Sequence, residues 1–172
     1  MARFNVFATA VMPKFVKYVV SASRVVQASS LPRTLEELVN IRASQINGCG
    51  ACLDMHVKEA LAAGESPLRL SLVAAWRETT VFTDAERAVL ALTEQATRLA
   101  DSSGIDDEVW AEVAAHFDDE QLAAIVAQIS LINALNRLNV ITQQKGGSYD
   151  PARLAEAQAA ATSGVDPTTV SV

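Results

Sequence analysis

Seven glycines and five prolines among 172 residues leave long stretches with nothing to break a helix. Alanine, the strongest helix former, is used heavily in the same stretches, and glycine and proline are the residues that oppose it. The few breakers fall where helices would end. Gly48 separates a helix over 34–47 from one over about 49–63, and Gly64 stands where a C-terminal glycine belongs. Ser66–Pro67 reads as an N-cap followed by a first-turn proline. Thr34 with Glu37 and Thr83 with Glu86 have capping-box spacing, and Asp118 with Gln121 has the related acidic form. Asp106, Asp107 and Glu108 suit another helix start, where carboxylates meet the positive end of the dipole. The expected elements are helices over about 14–27, 34–47, 49–63, 67 onward, 85–100, 107–115, 119–142 and 151–161. No alternating strand pattern and no strand–helix–strand rhythm appears. The fold class is all-α, with about seven or eight helices.

Length and charge narrow the organisation. The chain suits one domain of ordinary size, here residues 1–162, with a loose tail at 163–172. Within it, residues 1–30 read as an N-terminal docking segment and helix, and 31–140 as the central unit. Half the residues are hydrophobic and 20% are charged, which excludes a disordered chain. A net charge of -6 argues against a nucleic-acid binder led by phosphate contacts. The apolar start of the chain is interrupted by Arg3, Asn5, Pro13, Lys14 and Lys17. It falls short of the roughly 18 unbroken apolar residues of a membrane span and of a clean signal-peptide core. The expectation is a cytoplasmic protein without a membrane segment. Residues 1–33 carry five basic and no acidic side chains, whereas 101–120 carry eight acidic and no lysine or arginine. These are solvated faces, or complementary surfaces that meet within or between subunits.

Two cysteines cannot make a disulfide scaffold, but their placement carries chemistry. Both lie in the run Ile41-Arg42-Ala43-Ser44-Gln45-Ile46-Asn47-Gly48-Cys49-Gly50-Ala51-Cys52-Leu53-Asp54-Met55-His56. At about 100° per residue, Cys49, Cys52 and His56 fall within an arc of roughly 60° on one helix face. Helical positions three apart have Cα atoms roughly 5 Å apart, within disulfide range. The first helical turn stabilises a thiolate through its free N–H groups and dipole, and His56 lies within reach as a proton acceptor. A low-pKa thiolate with a resolving partner can reduce a peroxide by way of a sulfenic acid and a disulfide, which an external dithiol then reduces.

Other readings of these residues stay open. Buried cysteines are often inert packing. Cys49, Cys52 and His56 could supply three zinc ligands, with Glu37 or His116 as the fourth, in a zinc-stabilised interaction module. The disulfide could also serve redox sensing or disulfide exchange without peroxide turnover. Haem attachment would need histidine directly after the second cysteine, where Leu53 stands, and no flavin or nicotinamide motif is present. No cofactor is expected. Glu37 also fits a helix cap, His116 a helix C-terminus, and Trp76 and Trp110 core or interface anchors. Asn133, Asn136 and Arg137 interrupt an apolar helix at i, i+3 and i+4, and could cap backbone or line the thiol pocket.

The pattern of Glu37, then Cys49-Gly50-Ala51-Cys52 twelve residues later, then His56, resembles the AhpD-like alkylhydroperoxidase family of the carboxymuconolactone decarboxylase superfamily. The stretches LVNIRASQINGCGACLDMHVKEALAAGE, WRETTVFTDAERAVLALTE and INALNRL extend the likeness over roughly residues 31–140. The resemblance implies an AhpD-like helical bundle that assembles as a dimer, trimer or hexamer. It implies that Cys52 attacks an organic hydroperoxide, that Cys49 resolves and donates a proton, and that His56 and Glu37 form the proton relay. It also implies a dithiol donor such as a lipoyl carrier or thioredoxin-like protein. Ala51 stands where some members carry a second histidine, which shortens the relay. The decarboxylase branch lacks the cysteine pair, which argues against lactone decarboxylation here.

Overall fold

The computed structural model describes residues 2–101 and 103–152. Seven α-helices run through it: α1 (Val11–Gln27), α2 (Arg33–Asn47), α3 (Gly50–Ala62), α4 (Pro67–Leu72), α5 (Asp84–Thr97), α6 (Asp107–His116) and α7 (Asp119–Thr142). Short 3-10 turns lie at Val6–Ala8, Val73–Glu78 and Leu99–Asp101, and no strand occurs among the described residues. The expected all-α bundle is present. The helix expected over 151–161 and the tail at 163–172 lie, beyond Ala152, outside the described residues.

Most boundaries follow the local chemistry. Gly48 takes φ +66°, a left-handed conformation suited to glycine, and closes α2. Gly64 takes φ +90°, and the bonds Gly64 N–H to Leu61 O and Glu65 N–H to Ala60 O complete a Schellman ending for α3. The Thr83–Glu86 box opens α5 and the Asp118–Gln121 box opens α7, each with both reciprocal bonds made. The Thr34–Glu37 box does not form. Pro32 is the N-cap and α2 starts at Arg33, so Thr34 lies inside the helix and Glu37 is released for other partners.

Helix α2 is the axis of the molecule. It packs on α7, α3 and α5, and every residue from Leu35 to Ile41 is buried. Leu38, Val39 and Ile41 meet Val89 and Leu90 of α5 and Ile125, Ile129 and Ile132 of α7 in one apolar core. Burial on all sides also takes in Glu36, Glu37, Asn40 and Ser44. Such groups require partners in the dry interior, and α7 supplies several. Gln128 donates to Asn40, and Asn136 Nδ2 donates to Ser44 Oγ at 3.0 Å. Asn47 Nδ2 lies 2.9 Å from both Asn133 Oδ1 and Asn136 Oδ1. Helix α7 is long and apolar enough to cross a membrane by length and composition, yet here it packs along α2 as a core helix.

A third buried acid ties three elements. Glu94 of α5 accepts from Trp76 Nε1 at 2.9 Å and from Arg42 Nε of α2 at 2.7 Å, and it also pairs with Arg77. Burial alone would push its carboxyl up; the bonds from Arg77, Trp76 and Arg42 outweigh that and hold it below the ordinary range. Trp76 is thus the expected core anchor, whereas Trp110 is 43% exposed on α6 and is not a core residue.

After α7 the chain turns at Gln143, φ +56°, and residues 143–150 form a strap across α3. Asp54 Oδ2 accepts the N–H of Gly147 at 2.6 Å and of Tyr149 at 2.9 Å, while Lys58 Nζ donates to Tyr149 O at 2.7 Å. The Tyr149 hydroxyl donates to Glu59, and burial with that carboxylate beside it raises the phenol well above its ordinary value. A side chain at Gly146 would collide with the Gly50 carbonyl, so the strap lies directly on the start of α3.

Candidate functional site

The tight Gly48 turn between α2 and α3 puts Cys49 at the N-cap of α3 and Cys52 in its first turn. The two form a disulfide with Cα atoms 5.4 Å apart, as the spacing predicts. Cys49 Sγ also accepts the Cys52 backbone N–H at 3.3 Å, a capping bond made by sulfur. Both cysteines are buried, at 1% and 2% exposure. A cleft of about 280 Å³ lies beside Cys49, lined by Cys49, the backbone at Gly48 and Gly50, Asn139, Val140, and the strap from Gln143 to Gly146.

One turn beyond Cys52, His56 reaches back to α2. Its Nδ1 lies 2.8 Å from Glu37 Oε2, which also accepts from Asn40 Nδ2 at 3.4 Å. Glu37 Oε1 lies 2.7 Å from the Arg33 guanidinium, and Arg33 also pairs with buried Glu36 at 3.3 Å. With an ionised Glu37, Nδ1 carries the proton and Nε2 is left as the basic nitrogen. That Nε2 is buried and makes no hydrogen bond among the described residues. From α7, the Asn139 side chain donates to Cys52 Sγ at 3.3 Å. Glu37 also lines a smaller cleft of about 110 Å³ with Arg33, Leu38 and Ala60.

All four residues singled out by spacing, Glu37, Cys49, Cys52 and His56, therefore lie on the paired helices α2 and α3 or at the turn between them. His116 does not join them. It ends α6, 3.3 Å from Glu112 of its own helix. Among the described residues no group of three or more histidine, cysteine, aspartate or glutamate side chains is placed to hold a metal. Asn133 and Arg137 do bond backbone, Asn133 Nδ2 donating to the Ile129 carbonyl at 2.9 Å and Arg137 Nη1 to the Asn133 carbonyl at 3.2 Å, while Asn133 and Asn136 also bond side chains of α2 and α5. Arg33, Asn40, Asn139 and the strap were not foreseen. Asn139 stands two residues after Arg137, but an asparagine one turn from a helix end carries no local signal of a sulfur partner.

The fold and site define an all-helical protein with a cysteine pair at a helix N-terminus backed by a histidine–carboxylate couple. The carboxymuconolactone decarboxylase family model matches residues 13–95, and the chain belongs to that family, on its AhpD-like side. It is 35% identical over 138 residues to the uncharacterized protein YdfG of Bacillus subtilis, spanning 80% of this chain and 93% of that one. A crystal structure of an Agrobacterium tumefaciens protein of unknown function, described as a candidate antioxidant defence protein AhpD, superposes with a TM-score of 0.80. That pair shares 36% identity over 87% of this chain and all of the other. A variant of the debrominase Bmp8 in complex with 2,3,4-tribromopyrrole gives a TM-score of 0.71 at 20% identity, over 84% of this chain and 76% of its own. That likeness is one of fold.

Proposed function

We propose that the protein is a thiol-dependent peroxidase that reduces organic hydroperoxides through Cys49 and Cys52. The observation that carries this reading is the disulfide at the α3 N-terminus one turn from His56, whose Nδ1 is held by Glu37. The Cys52 thiolate attacks the outer peroxide oxygen; the O–O bond breaks and an alcohol leaves with a proton. Cys52 becomes a sulfenic acid, the Cys49 sulfur attacks it, water leaves and the disulfide forms. An external dithiol, from a lipoyl carrier or thioredoxin-like protein by analogy, returns two electrons. His56 Nε2 accepts the thiol proton, and Glu37 stabilises the imidazolium that results. Asp54 and Lys58 fix the strap, not the relay. The AhpD description of the A. tumefaciens relative supports the reading.

We place the protein in the cytoplasm, as one domain over residues 1–162, and as a homo-oligomer. The oligomer is supported by α1, where Val11, Tyr18 and Val25 are each more than 70% exposed. The deciding experiment follows consumption of tert-butyl hydroperoxide with a dithiol reductant. Wild type should turn over at least about 100-fold faster than Cys52→Ser, with His56→Ala in between, since proton transfer contributes roughly 10²–10⁴-fold. A wild type no faster than Cys52→Ser would end the peroxidase reading.

A further inference from the structure

The surroundings of the disulfide are unequal. Its two sulfurs belong to buried residues, so a reductant must come through an opening, and the 280 Å³ cleft reaches Cys49 without including Cys52 in its lining. Gly48, Gly50 and Gly146 line the cleft together with Cys49, and Asn139, Val140 and the strap residues Gln143 to Lys145 complete its wall. Cys52 has the other requirement of an exchange reaction. Its sulfur accepts a hydrogen bond from Asn139 Nδ2 at 3.3 Å, and a donor aimed at sulfur favours the anion over the neutral form. Cys49 also has a donor, the Cys52 backbone N–H, but attack requires access as well as a stabilised leaving group.

We infer that an external thiol opens the disulfide at Cys49 and that Cys52 leaves as a thiolate held by Asn139. The incoming thiolate forms a bond to Cys49 Sγ. The Cys49–Cys52 bond breaks, and its electron pair stays on Cys52 Sγ. The second thiol of the donor then attacks the donor sulfur of the mixed disulfide. The donor departs as its own disulfide, and Cys49 is released as a thiolate that takes up a proton. The donor loses two electrons and the protein gains two. Asn139 touches the reacting sulfur and is a further catalytic residue of the exchange. The order of events restores Cys52 first, in the charged form that the proposed peroxidase reaction needs. The inference rests on the disulfide which that function uses, but not on peroxide turnover.

The test uses oxidised wild-type protein and β-mercaptoethanol, quenched early with acid and N-ethylmaleimide. Both cysteines fall on one tryptic peptide, residues 43–58, and fragment masses between them assign each modification. The expected product carries β-mercaptoethanol on Cys49 and maleimide on Cys52, in at least about tenfold excess over the reverse, the ratio that 1.4 kcal/mol gives. Equal or reversed labelling overturns the inference. Asn139→Leu should slow adduct formation about tenfold, in line with the loss of one hydrogen bond to a charged group. In a Cys49→Ser background it should also move the pH midpoint of Cys52 alkylation upward. An unchanged rate with an unchanged midpoint removes Asn139 from the reaction. Adduct on Cys49 without peroxide turnover would keep this inference and end the peroxidase reading.

Discussion

Arg33 is one half-exposed guanidinium facing two buried carboxylates, Glu36 and Glu37. Burial raises the Glu36 carboxyl above its ordinary value, against the pull of Arg33. A raised carboxyl binds a proton more readily folded than unfolded. Its contribution thus favours folding at low pH and is lost as pH rises through the folded value. Arg33→Met removes the opposing cation. Thermal melts should show a deficit of about 1 kcal/mol near neutrality, roughly 2–4 °C, shrinking at pH 5 compared with pH 8. An equal deficit at both values would show that Arg33 acts by packing alone. The nearness of the four candidate residues was legible: Glu37, Cys49, Cys52 and His56 have spacings that two adjacent helices joined by a tight turn bring together. Arg33, Asn40 and Asn139 were not. Asn139 meets Cys52 across 87 positions, and local spacing says nothing about such a partner.

At the level of elements, the α2–α3 junction sets the site. Gly48 holds φ +66° with no neighbour to clash with a side chain, so Gly48→Ala isolates the backbone cost. Urea unfolding should show a loss of about 1 kcal/mol, the left-handed penalty for an L-residue. The disulfide should form more slowly in the same variant because the cap of α3 moves with the turn. The strap is the second element that matters here. Hydrogen bonds from Lys58, first, and from the Tyr149 backbone hold the Asp54 carboxyl down at about 2. A depressed carboxyl contributes above its unfolded value and loses that contribution as pH falls through the folded one. The strap should therefore stay latched across the physiological range. Asp54→Asn should speed amide hydrogen exchange at Gly147 and Tyr149 while leaving the core of α2 protected. Unchanged exchange at both amides would show that the strap is held by Lys58 and Tyr149 instead. Capping boxes at Thr83 and Asp118 formed as their sequences predict, whereas Thr34 lost its role because Pro32 takes the N-cap position and α2 already starts at Arg33.

Across the whole molecule, Glu94 links α2, α5 and the Val73–Glu78 turn. Glu94→Gln leaves Arg42 without its carboxylate partner in a mostly buried setting. Chemical denaturation should show about 3 kcal/mol of lost stability, the range for breaking a buried pair from one side. Because the wild-type carboxyl is depressed, that loss should narrow as pH falls below about 4. The proposed oligomer belongs at this scale too. Tyr18→Asp with Val25→Asp places charge on the exposed face of α1, and light scattering should then report a smaller mass than wild type. The same mass for both would remove α1 from the interface. What the sequence determined by itself was local: helix ends, the all-α class and the cysteine–histidine–glutamate spacing, because capping, backbone strain and helical periodicity act over a few residues. Only the tertiary structure decided that α2 would be buried on every side. That burial forces Glu37, Asn40 and Ser44 to find partners on α3 and α7, while the packing of α7 and the strap on α3 brings Asn139 onto a sulfur and lays the strap beside the cleft at Cys49. Those pairings depend on which faces meet in space, and desolvation makes them obligatory once they do.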